Sequence, residues 1–60
     1  MSRKFIISIE TENAAFERNP ASEIKRIIKE AFPYVREALS DSVILRDING
    51  NRVGYMSLAD

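Results

Sequence analysis

The chain has 60 residues, 45% of them apolar and 30% charged, and its nine Lys and Arg balance nine Asp and Glu. That composition fits one small globular domain, and the neutral balance argues against a nucleic-acid polymer as partner, because such binding draws on a basic surface. With no Cys and no His, disulfides, thiolate metal sites, Cys or Ser–His nucleophiles and imidazole acid–base chemistry are excluded.

A domain this short buries only about 60% of its unfolded surface. Without a disulfide or a metal, the usual remaining aid is self-association. The basic start Met1-Ser2-Arg3-Lys4 is followed by only three apolar residues, Phe5-Ile6-Ile7. That is too short for a signal peptide and far short of the roughly 20 residues of a membrane span. The expectation is a cytoplasmic chain.

Residues 4–11 open the fold. Phe5, Ile7 and Ile9 alternate with Lys4, Ser8 and Glu10, the period of a strand, with Ile6 on the wetter face. A polar connection to Asn19 follows, interrupted by Ala14-Ala15-Phe16. Asn19-Pro20 then predicts a helix start, since Asn caps well and Pro suits the first helical position. Ile24, Ile27, Ile28, Ala31, Val35, Ala38 and Leu39 recur at helical spacing and make one apolar face. Pro33 predicts a kink near Phe32, with Tyr34 to Leu39 as a short second piece.

Val43 to Arg46 and Arg52 to Leu58 are two predicted strands joined by Asp47-Ile48-Asn49-Gly50-Asn51. A two-residue Asn49-Gly50 turn would pair Asp47 with Arg52 and Leu45 with Gly54. A three-residue loop with Gly50 left-handed would pair Asp47 with Asn51, Leu45 with Val53 and Val43 with Tyr55. The second register is preferred because it gathers Val43, Leu45, Val53 and Tyr55 on one face and puts Asp47 where a type I turn favours it.

The expected fold class is α+β: a β-α-β-β domain over 1–60, with a three-stranded, antiparallel-rich sheet and one kinked helix on one face. Its expected core is Phe5, Ile7, Ile9, Ile24, Ile27, Ile28, Val35, Leu39, Val43, Leu45, Val53 and Tyr55. The other sheet face would carry Lys4, Ser8, Arg46, Arg52 and Gly54 among four large apolar residues, Ile6, Ile44, Met56 and Leu58. Such a face calls for a second protomer, so these four are the expected interface of a homodimer or higher homo-oligomer. Arg46, Arg52 and Lys4 at its margin would make a paired basic site, or Arg46 and Arg52 would merely rim the interface or meet Asp47 and Glu10.

Other chemistry is weaker. Asp47, Asn49 and Asn51 resemble the opening of a calcium loop, but Arg52 and Leu58 stand where Gly and Glu are needed, so no metal is expected. Glu10, Glu12 and Glu17 have too little wall around them for tuned carboxylates. Gly50 and Gly54 form no phosphate loop. Gly54, inside a strand, marks either close approach of a ligand or a bulge or tight backbone contact. Asn13 and Phe16 have two readings: a cap and a staple for the helix entrance, or an amide and a stacking platform for a nucleobase.

The segment Ile9-Glu10-Thr11-Glu12-Asn13-Ala14-Ala15-Phe16, with Glu23, Arg26-Ile27-Ile28 and Asp47-Ile48-Asn49-Gly50-Asn51-Arg52-Val53-Gly54, resembles a family of short tailed-bacteriophage proteins of unassigned function. The likeness runs through nearly the whole chain. Tyr55-Met56 stand where many members have Trp, and Phe32-Pro33-Tyr34 depart from the usual helix centre. The resemblance implies a phage accessory protein, and by analogy a counter-defence factor in the cytoplasm of an infected bacterium.

The function this favours is non-catalytic: a homo-oligomeric sponge that sequesters a small anionic nucleotide immune signal of the cyclic-dinucleotide kind, with no cofactor. Arg46, Arg52 and Arg26 would hold phosphate, Phe16 would stack on a base, Asn13 would read its edge, and Gly54 would allow close approach. The alternative is an inhibitor that docks on a host protein through its apolar sheet face or a sheet edge. A nucleotide phosphodiesterase is disfavoured, since it would need carboxylates and a metal.

Overall fold

A computed structural model describes residues 3–59; Met1, Ser2 and Asp60 lie outside the described residues. Strand β1 (Lys4–Ile9) leads to a 3-10 turn (Ala14–Phe16) and helix α1 (Pro20–Ala31). A second 3-10 turn (Phe32–Tyr34) joins α1 to the short α2 (Val35–Ala38), and strands β2 (Val43–Arg46) and β3 (Arg52–Ala59) close the chain. The fold is a small α+β domain whose antiparallel sheet has the order β1-β3-β2. Strand β1 stops two residues before its predicted end, although the Glu10 N–H still donates to the Val53 carbonyl at 2.8 Å.

The helix begins for the reasons its sequence gives. Asn19 accepts from the Ser22 N–H at 3.0 Å, Pro20 occupies the first turn, and Glu23 sits where the helix dipole favours an anion. Pro33 interrupts the ladder as expected, and the break is absorbed as a turn of 3-10 helix.

The hairpin combines both sequence registers. At the turn, the Asp47 N–H donates to Asn51 O at 2.9 Å and the Gly50 N–H to Asp47 O at 3.0 Å, with Gly50 at φ 84°. This is the three-residue loop. One step further the ladder shifts: Arg46 lies opposite Arg52, but Leu45 lies opposite Gly54. Val53 is the extra residue of a β-bulge, and beyond it the strands run in the other register. Val43 therefore meets Met56 rather than Tyr55, and Leu45 meets Gly54 rather than Val53.

One extra residue reverses the faces of everything that follows on β3. Directly opposed residues share a face, so Phe5, Ile7 and Ile9 stand with Leu58, Met56 and Gly54, and with Val43 and Leu45, on the helix side. The other face carries Lys4, Ile6, Ser8, Ile44, Tyr55 and Ser57. This corrects the sequence expectation at Met56, Leu58, Tyr55 and Gly54, the last expected on the open face and now opposite Ile9 and Leu45. Met56, expected at an open interface, is 1% exposed in the core. Leu58 also turns to the helix side, and Tyr55, expected in the core, faces outward.

The core is Phe16, Ile27, Ala31, Ala38, Leu45, Val53 and Met56, with Ile9, Ala15, Ile24, Val35 and Val43 packed around it. The helical layer packs on β2 and β3. Phe5 and Ile7, on the helix-side face of β1, are therefore left exposed, contrary to expectation, as are Ile28 and Leu39 on the helical layer. Phe16 supplies the missing bulk: the turn that carries it packs against α1.

Candidate functional site

The most distinctive residues of the sequence converge on one polar lock. Asp47 is buried, and its Oδ1 accepts from the N–H groups of Asn49 (2.9 Å) and Asn51 (2.8 Å). Its Oδ2 accepts from Asn13 Nδ2 (2.7 Å) and Asn51 Nδ2 (3.2 Å). Glu23, also buried, accepts from Arg26 through both carboxylate oxygens (2.9 and 3.0 Å) and from the Ile48 N–H (2.9 Å). The hairpin loop is thus tied to the 3-10 turn by Asp47 and to α1 by Glu23. Among the described residues, no buried side-chain polar atom lacks a partner.

These contacts set the charges. Burial alone raises the Asp47 carboxyl, but the donors from Asn51, Asn49 and Asn13 outweigh it and hold the group below its ordinary value. The Arg26 guanidinium, opposed by burial and helped by the Ile48 N–H, holds Glu23 below its ordinary value as well. Asp47 takes four donors and Glu23 three, which suits a structural tie and leaves little free lone-pair capacity for proton transfer or metal ligation.

Three of the sequence candidates are consumed by this scaffold. Asn13 caps the 3-10 turn, its Oδ1 accepting from the Ala15 N–H at 3.1 Å, while its amide nitrogen is spent on Asp47. Phe16 is 2% exposed, so neither ring face is open to a base, and its stacking role is corrected to core filling. Arg26 is shared between Glu23 and Glu30 and also reaches the Arg46 carbonyl at 3.4 Å. The close approach expected at Gly54 is made by backbone: a Cβ there would sit 1.8 Å from the Ser8 carbonyl oxygen.

What remains lies on the open sheet face. Ser8, Glu10, Arg52, Val53, Gly54 and Tyr55 line a hollow of about 360 Å³. Arg52 is exposed and, among the described residues, its side chain holds no hydrogen bond or ion pair. Its cross-strand partner is Arg46, whose Nη1 donates to the Gly50 carbonyl at 3.1 Å. Like charges directly opposed on neighbouring strands are unfavourable. Tyr55, expected in the core, adds an aromatic ring here. The signal that could have found it was Gly54, a strand glycine whose bulge reading decides which way Tyr55 points.

A second concavity, a groove of about 560 Å³, runs between the helical layer and the free edge strand β2. Ile27, Ala31, Val43 and Leu45 line it with Tyr34, and Arg26, Arg46, Glu30 and Glu37 border it. The predicted site residues therefore divide: Arg52 and Gly54 at the hollow, Arg26 and Arg46 at the groove. Among the described residues, no helix is long and apolar enough to cross a membrane. No family model, curated protein or solved structure matches the chain.

Proposed function

We propose that this chain is a non-catalytic binding protein that sequesters a small anionic nucleotide, of the cyclic-dinucleotide kind, as a phage counter-defence factor. The observation that carries the reading is an arginine with no counter-ion among the described residues, Arg52, lining one hollow with the exposed ring of Tyr55 and opposed by a second arginine, Arg46. Arg52 supplies charge-assisted hydrogen bonds to phosphate. Tyr55 supplies a π-face for a base, and Ser8 and Glu10 supply a hydroxyl and an acceptor for its polar edge. The hollow is of ligand size. The two buried carboxylates are both occupied in holding the fold, which favours binding over turnover.

Isothermal titration against cyclic di- and mononucleotides tests this. Micromolar binding by at least one member, lost in Tyr55→Ala and Arg52→Ser but kept in Arg36→Ser, is the expected result. No heat from any member at tens of micromolar defeats it.

The β2 edge favours a second reading, a small inhibitor of a host protein. A free strand beside an apolar groove suits an added strand from a partner. A stoichiometric host protein retained by the tagged chain, lost in Tyr34→Asp and accompanied by no nucleotide, would select it.

A further inference from the structure

The chain has more surface than its mass accounts for. Its accessible area is 4780 Å² at 6.8 kDa, whereas a compact monomer of that mass exposes about 4000 Å². The excess, about 800 Å², is what each partner buries in an interface of standard size. The shape agrees: the radius of gyration is 12.0 Å, against about 10.4 Å for a compact domain of this length. The extents are 40 × 20 × 16 Å, so the excess comes from elongation.

Of the exposed large apolar residues, Phe5, Ile7, Ile28, Phe32 and Leu39 lie in two places that complement each other, while Tyr34, Ile44, Ile48 and Tyr55 lie elsewhere. The helical layer packs on β2 and β3, so the helix-side face of β1 is left bare at Phe5 (37% exposed) and Ile7 (46%). The helical layer in turn presents Ile28 (42%), Phe32 (74%) and Leu39 (51%) to solvent. Each chain thus has a half-sheet without a helix and an exposed apolar helical flank. Strand alternation sends Lys4 and Ser8 to the opposite face, so burying Phe5 and Ile7 leaves the Lys4 ammonium in water. Lys25, Lys29 and Arg36 flank the helical patch and can keep their charged ends in water at its rim.

We propose that two copies of this chain join about a twofold axis, the Ile28–Phe32–Leu39 flank of each lying on the Phe5–Ile7 face of β1 in the other. The contact is reciprocal and closes on itself, as a twofold interface must. It leaves the open face, with Tyr55 and Arg52, accessible, so the pairing stands whether or not a nucleotide binds there. It also replaces the interface expected from sequence: Met56 and Leu58 have left the open face, which keeps Ile6 and Ile44 beside charged neighbours.

Sedimentation equilibrium on the full chain, with far-UV circular dichroism of each variant, tests the proposal. The expected mass is twice that of the single chain. Phe32→Glu should halve it with helix and strand content kept, and Ile44→Glu, on the opposite face, should leave it doubled. Should Phe32→Glu fail to fold, isotope-filtered nuclear Overhauser contacts between Phe32 and Ile7 of different copies decide the question in the unsubstituted protein. A single-chain mass at hundreds of micromolar overturns the proposal. So does a larger assembly, or a dimer that lacks those contacts or survives Phe32→Glu.

Discussion

Asp47 and Glu23 hold this fold through charge that donors stabilise. Both carboxyls lie below their ordinary values of 3.8 and 4.5. The unfolded chain therefore binds more protons than the folded one as pH falls through that range, and acid favours unfolding. Thermal midpoints should be flat from neutral pH to about pH 5 and should fall as pH drops below the ordinary values and through the lowered folded ones. Asp47→Asn and Glu23→Gln should flatten that acid limb and lower the midpoint at pH 7, whereas Glu30→Gln, at an exposed position, should change little. An unchanged acid limb in Asp47→Asn would remove Asp47 from this role. Arg52 behaves oppositely: Arg52→Ser deletes a like-charge neighbour of Arg46 and breaks no bond, so stability should hold or rise by up to about 1 kcal/mol. A clear fall in the midpoint would return Arg52 to the scaffold.

At the scale of elements, the bulge on β3 decides which residues are inside. Gly54→Ala would drive a Cβ into the Ser8 carbonyl, and backbone must move to admit it. The cost should reach at least the upper end of overpacking, about 3 kcal/mol. Gly50→Ala meets open space and only a left-handed φ, worth about 1–2 kcal/mol. Urea denaturation of the two variants checks the order, and equal losses would place the bulge elsewhere. Phe16→Ala should cost about 3–5 kcal/mol, against a total near 3–9 kcal/mol for 60 residues. The elements themselves were legible in the sequence, because alternation in residues 4–11, the Asn19-Pro20 cap, Pro33 and the Asn49-Gly50 loop each have a local cause. The faces of β3 were not. Both registers have sound local chemistry, and the chain uses one at the turn and the other beyond Val53. A bulge is chosen by packing across the whole sheet, here by Leu45, Val53 and Met56 meeting the helices. Phe16 was ambiguous for a similar reason: a lone aromatic after two alanines fits a staple or a platform until its neighbours are known.

For the whole molecule, the two faces of the sheet divide the work. The helix side is partly covered by its own helical layer, and a second copy would complete it. The other face holds the hollow with Tyr55, Ser8 and Arg52. Asn13 and Arg26, which the sequence offers as ligand residues, instead join Asp47 and Glu23 in fastening the hairpin to the helical layer. Of the residues that line the hollow, the sequence singles out Arg52 and Gly54. The hollow's aromatic member was hidden by the bulge. Amide chemical-shift mapping of the folded protein, titrated with the same nucleotide panel, tests the central claim most directly. Shifts should concentrate at Ser8, Arg52, Gly54 and Tyr55 and leave Asn13, Phe16 and Asp47 in place. Shifts centred on Asn13 and Phe16, or none with any nucleotide, would contradict it.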